Sequence, residues 1–160
     1  MLKTHIEYKN GKPFISVNGK LHYPLAYTTY FEECGRFSNF IKHDYKMFFI
    51  NISFTDLAIN TTSNFSPFYT GVFENNEPDY SEFEGIVKEI LKECPDALIF
   101  PRINIAMPQK WINENIYETV ETPSGNRESL FSDKFLNDGA LLLKELVSHM
   151  VILHTGNEQK

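Results

Sequence analysis

The chain has 160 residues, 42% of them hydrophobic, and a formal net charge of -6, enough for one domain with a real core. With a pI near 5.4 and no basic patch, nucleic acid and anionic membrane are excluded as main partners, because both need a basic footprint. A complete (β/α)8 barrel needs about 250 residues, so the chain is too short to be one.

The N-terminus, MLKTHIEYKNGK, has no apolar signal region. No run approaches the ~18 apolar residues of a membrane span, so no membrane partner and a cytoplasmic location are expected. Cys34 and Cys94 lie far apart without metal spacing and read as two reduced thiols. His5, His22, His43, His149 and His154 are scattered, so neither a metal nor a cofactor is expected. The 14 Phe and 8 Tyr suit a carbohydrate-binding protein and an AT-rich genome equally. N-x-[ST] patterns at Asn51, Asn60 and Asn64 read as chance without a secretion signal.

In chain order, short β-type runs at residues 6–8, 14–17 and 21–23 are separated by Asn10-Gly11 and Asn18-Gly19. Asn-Gly between apolar alternations predicts tight hairpins, because both residues tolerate positive φ. A small antiparallel ribbon over residues 1–23 should therefore precede the main fold, which occupies residues 24–160. The run LAYTTYF is expected as the first parallel strand, ending in Glu32, Glu33 and Cys34. Phe37, Phe40, Ile41 and Tyr45 suggest a first short helix. MFFINISF, residues 47–54, reads as the second buried strand, with Asp56 just beyond it.

Residues 58–78, rich in Asn, Thr, Ser, Pro and Phe, read as a long loop. Phe65, Phe68, Tyr69 and Phe73 within it form either a sugar-stacking wall or simple anchors onto the body. Phe83, Ile86, Val87, Ile90, Leu91 and Cys94 follow one helical face over residues 79–94, opposite a charged face. Asp79 or Ser81 is expected to cap that helix.

The run ALIFPRINIAMP, residues 97–108, has the strongest strand character and reads as a strand buried on both faces. Arg102 and Asn104 interrupt it at a spacing of two, which puts both on one face near the strand's C-terminal end. Arg102 either pairs with a core carboxylate or belongs to a polar cluster at a sheet mouth, where α/β proteins bind ligands. Trp111 is expected in a following loop, then a turn at residues 123–126. A last helix capped by Ser132 follows, with Phe135, Leu136, Ala140, Leu143, Leu146, Val147 and Met150 on its apolar face. A strand is expected over residues 151–154.

PRINIAMPQKW, with PDYSEFEGIVKEILKECPDALIF upstream and ETPSGNRESLFSDKF downstream, resembles the first part of the catalytic domain of β-galactosidase-like glycoside hydrolases. The resemblance runs from about Gly11 to about Met150. Members of that retaining clan are TIM barrels, so it implies a partial (β/α)8 barrel of about three βα units behind a β ribbon. It also implies that the glutamate acid/base and nucleophile stand on later strands absent here. Carried over, Arg102 would bond a sugar hydroxyl and orient the catalytic carboxylates, and Trp111 would offer a platform to a sugar face. Asn104, Asp56 and Glu32 complete the expected substrate-binding set, with Arg127 and Glu128 as weaker candidates. No catalytic residue is assigned.

Three functions follow as expectations. The first is the N-terminal fragment of a glycoside hydrolase acting on β-galactosides, from a truncated or frameshifted frame and inactive alone. The second is a carbohydrate-binding or oligomerising partial barrel that self-associates through open sheet edges. The third is a small independent enzyme that uses strand-end acids such as Glu32 and Asp56.

Overall fold

The computed structural model describes residues 3–31, 34–58, 60, 62–63, 66 and 71–156, with side chains as far as residue 150. Among these residues the protein is a mixed α/β fold with three small sheets and four α-helices, and no closed barrel is present. The chain divides into two compact units. One comprises Met1–Asn51 and Ser81–Arg102, the other Ile52–Tyr80 and Ile103–Lys160.

The first unit opens with the expected ribbon, β1 (Thr4–Lys9), β2 (Lys12–Val17) and β3 (Lys20–His22), all antiparallel. Both Asn-Gly pairs take positive φ, at 51° and 74° for Asn10 and Gly11 and 50° and 83° for Asn18 and Gly19. Two consecutive left-handed residues make the turn whose twist matches the flanking strands. Lys9 therefore pairs with Lys12, and Val17 with Lys20.

A second sheet follows in the order β4 (Ala26–Thr28), β5 (Met47–Ser53), β6 (Leu98–Asn104). β4 and β5 are parallel, with Tyr27 opposite Phe48. β5 and β6 are parallel as well. The Leu98 amide donates to the Lys46 carbonyl where both begin, and the Phe54 amide donates to the Asn104 carbonyl where both end. Helix α1 (Phe37–Ile41) lies between β4 and β5 in the chain, and α2 (Ser81–Glu93) between β5 and β6. Ser38 Oγ of α1 donates to Glu93 Oε1 of α2 at 2.6 Å, so the two crossover helices lie side by side on one face of the sheet. Phe37 of α1 meets Phe48 edge-on, with ring centroids 6.0 Å apart, while Tyr27 stacks on Phe40 at 4.1 Å.

The most buried strand is β5, not β6. Met47, Phe48, Ile50 and Ile52 are all buried, whereas no residue of β6 is, and Pro101 and Arg102 are exposed. The expectation that residues 97–108 form the doubly buried centre is corrected on this point. β5 has a partner on each side and β6 on one, so β6 is an edge despite its stronger apolar run. The first parallel strand is shorter than expected, at three residues.

In the second unit, Val72 and Phe73 donate to the carbonyls of Ser53 and Phe54, so this segment runs beside the end of β5. Phe73 packs edge-on against Phe54 at 5.0 Å, which is the anchoring alternative for that ring. Phe65, Phe68 and Tyr69 lie outside the described residues. Met107, Ile112 and Phe135 form a buried cluster, flanked by Leu57, Trp111 and Leu142.

Three expectations change in this unit. Trp111 lies in a short helix, α3 (Gln109–Glu114), rather than a loop. Residues 119–128 form a hairpin, β7 (Thr119–Thr122) and β8 (Gly125–Glu128), rather than an isolated turn. The supposed strand at residues 151–154 is helical, because α4 (Asp133–Gly156) continues through it. No glycine or proline interrupts the chain between Gly139 and Gly156, so the backbone ladder propagates past the β-branched residues. The cap at Ser132 is as expected: its Oγ accepts the Phe135 amide at 3.0 Å and donates to Glu118 Oε2 at 2.6 Å.

Candidate functional site

Side chains alternate across a strand, so register sorts the sheet residues of the first unit into two faces. Tyr27 and Phe48 share the face that meets α1. Thr28 and Phe49 share the other, and Asn51 follows Phe49 on it at a spacing of two. Phe49 and Phe100 stack offset at 5.3 Å and 31°, which sets Phe100, and with it Arg102, on that same face. The face opposite the one that meets α1 therefore carries an aromatic pair, then one asparagine and one arginine toward the C-terminal strand ends. On this face of the middle strand Phe49 is 39% exposed, while Met47 and Asn51 are buried.

Arg102 reaches Tyr30, just past the end of β4. Its guanidinium carbon lies 4.4 Å from the Tyr30 ring centroid, and Nη2 donates to the Tyr30 hydroxyl. The aromatic face holds the cation by its quadrupole, and the hydrogen bond fixes the plane of the fork. Asn51 is buried, and its Nδ2 donates to the Thr29 carbonyl at 2.6 Å, which positions the backbone just before Tyr30. The N-x-[ST] pattern at Asn51 is thus part of a buried strand. Glu32, expected beside this cluster, lies outside the described residues, as does Glu33.

The remaining expected residues fall in the second unit. Asn104 Nδ2 donates to Ser53 Oγ at 2.9 Å, tying the ends of β6 and β5. Asp56 is exposed in the segment after β5. Next to it, the Thr55 hydroxyl donates to Glu74 and accepts the Leu57 amide. Trp111 is half-buried, meets Phe135 edge-on at 6.4 Å, and donates its Nε1 hydrogen to Asp138 Oδ2 at 2.7 Å. Lys134 also binds that oxygen at 2.8 Å, and the two donors hold the Asp138 carboxyl below its ordinary pKa, Lys134 contributing most. Arg127 donates through Nη1 to the Ala58 carbonyl, with Nε 3.6 Å from Glu128 Oε2. That pair ties the hairpin to the segment after β5.

Tyr30 and Asn51 were not singled out for this face by sequence reasoning. The signal for Asn51 was present, since one asparagine breaks the apolar run MFFINISF as Arg102 breaks that of β6. Tyr30 had no such signal, because its role rests on the neighbour order of the strands. Chemically, this face offers a cation held by a phenol, beside the Phe49–Phe100 aromatic pair, which is a donor set for hydroxyl-bearing ligands next to an apolar surface. Among the described residues there is no cluster of three or more His, Cys, Asp or Glu side chains able to hold a metal ion. No helix among them is long and apolar enough to cross a membrane. The chain matches no family model, no curated protein sequence and no solved structure.

Proposed function

We propose that the chain is the N-terminal part of the catalytic barrel of a β-galactosidase-like retaining glycoside hydrolase. In this reading it binds carbohydrate at its strand ends and does not hydrolyse it alone. The carrying observation is a parallel sheet whose strands follow chain order, with Arg102 clamped to Tyr30 at the C-terminal ends. Consecutive strand order with neighbouring crossover helices on one face is compatible with (β/α)8 winding, in which the face away from the helices becomes the filled interior and the C-terminal strand ends the active-site rim. β4, β5 and β6 would be the first three barrel strands.

Retaining hydrolysis needs two carboxyl groups about 5–5.5 Å apart. This reading assigns them to later barrel strands, not to β7 or β8, with Arg102 bonding a sugar hydroxyl; Trp111 and Asn104, in the second unit, are further candidate binding residues. Two free thiols, Cys34 exposed and Cys94 buried, fit a cytoplasmic enzyme.

A second reading, a non-catalytic binding or self-associating module, is favoured by one specific feature. Phe49 at 39% and Ile105 at 44% exposure leave apolar surface on and just beyond the sheet. The two readings separate in one experiment on the purified chain: turnover of an aryl β-galactoside, saturation-transfer NMR with galactose, and sedimentation velocity. The fragment reading expects galactose binding that Arg102→Ala abolishes, with no turnover. No galactose binding together with a stable dimer would replace it by the self-association reading. Turnover lost in Asp56→Asn or Glu32→Gln would overturn the claim that the catalytic pair lies elsewhere.

A further inference from the structure

A second polar cluster lies in the first unit, where β5 and β6 begin, away from Arg102. Asp96, in the turn between α2 and β6, accepts Lys20 Nζ on Oδ2 and Lys46 Nζ on Oδ1, both at 2.9 Å. Lys46 Nζ is also 3.4 Å from Cys94 Sγ, and Sγ is 3.4 Å from the same Asp96 Oδ1. An amine, a thiol and a carboxylate that bonds both thus close a triangle. The backbone holds it on two sides. The Cys94 amide donates to Ile90 at the end of α2, and the Leu98 amide donates to the carbonyl of Lys46 itself.

We propose that Lys46 and Cys94 are the two ends of a reversible oxidative cross-link, a single oxygen atom bridging Nζ and Sγ, with dioxygen as the oxidant. The step balances with one dioxygen. The S–H bond and one N–H bond of the neutral amine break, S–O and O–N bonds form, and the O–O bond breaks. The second oxygen leaves as water with the two hydrogens. Sulfur and nitrogen each give up two electrons, and dioxygen takes the four. Asp96 Oδ1 accepts a hydrogen bond from both groups and so holds amine and thiol together, and the ammonium proton passes to solvent before the neutral amine reacts.

Several features make this pair a better candidate than an ordinary cysteine. One atom spans the gap with only small side-chain movement, since Lys46 is flexible and Cys94 is fixed. Cys94 is 2% exposed, so dioxygen can reach it while bulky thiols such as glutathione cannot. Burial pushes the Cys94 thiol up, partly offset by the Lys46 ammonium, so the link should form slowly and only where an amine competes for the oxidised sulfur. Once formed it joins the residue before β5 to the residue after α2. It also removes the Lys46 charge and leaves Asp96 to Lys20.

The test is peptide mass spectrometry of the full chain carrying Cys34→Ser, which removes the exposed thiol, after incubation under air enriched in heavy dioxygen. The expected product is a Lys46–Cys94 cross-linked peptide heavier by one labelled oxygen less two hydrogens, absent under argon and lost on treatment with dithiothreitol. Lys46→Gln should abolish it while circular dichroism stays unchanged, and thermal unfolding of the cross-linked form should shift upward. The proposal is overturned if Cys94 remains fully alkylatable after unfolding in the aerated sample. It is equally overturned if Cys94 gains only sulfinic or sulfonic oxygens with Lys46 unmodified.

Discussion

Arg102 and Tyr30, 72 positions apart, are joined twice, by a hydrogen bond to the phenol and by a guanidinium lying 4.4 Å from the ring centre. Both side chains are exposed, so the pair adds about 0.5–1 kcal/mol to stability. Its larger effect is to hold the arginine fork in one orientation. Tyr30→Phe should therefore leave thermal stability nearly unchanged and, on the proposed carbohydrate-binding function, weaken galactose binding severalfold. Arg102→Ala should remove a charge-assisted hydrogen bond of about 1.5–3 kcal/mol, a tenfold or larger loss by NMR titration. Equal binding in all three proteins would remove Arg102 from the proposed sugar site.

Gly71 and Gly85 should respond oppositely to alanine. A Cβ on Gly71 would lie 2.4 Å from Thr55 Cα and 2.6 Å from the Asp56 nitrogen, backbone atoms that cannot swing aside. Gly71→Ala should cost about 1–3 kcal/mol through forced backbone movement. A Cβ on Gly85, in the exposed middle of α2, meets nothing within 4 Å. Gly85→Ala should stabilise by about 0.5–1 kcal/mol. Urea denaturation of both variants checks the pair, and destabilisation by Gly85→Ala would contradict the geometry of α2.

Acid should weaken the first unit in two steps. Burial is the main cause that holds His22 below its ordinary value of 6.5. The unfolded chain then binds a proton that the folded chain refuses, and stability falls as pH drops below that value. Asp96 is held below its ordinary 3.8, first by Lys46 and then by Lys20. Its contribution is complete above that ordinary value and is lost as pH falls through it toward the folded value. Asp96 is half exposed, so solvent screens this second step. Urea midpoints measured from pH 8 to pH 3 should decline in both windows, His22→Asn flattening the upper and Asp96→Asn the lower. An unchanged upper window in His22→Asn would remove histidine from the account.

Legibility followed how local each signal was. Asn10-Gly11 and Asn18-Gly19 announced the ribbon because positive φ is a property of those residues wherever they sit. α2 was readable because its apolar stripe repeats over three turns. The β7–β8 hairpin was not, since TVET and GNRE carry no apolar alternation and its strands are only four residues each. Residues 151–154 misled for the opposite reason: β-branched residues favour a strand locally, but a helix already propagating from Asp133 overrides that preference.

From the residue order alone came the ribbon, the α/β alternation, the capped final helix and the polar interruption of a strand by Arg102 and Asn104, all set by short-range dihedral preference and periodicity. Tertiary structure decided which strand is central, that Arg102 meets Tyr30, and that Lys46, Cys94 and Asp96 converge. Those outcomes depend on which strands become neighbours, and neighbour choice is settled by burial summed over the whole sheet, a quantity that no single stretch of the chain contains.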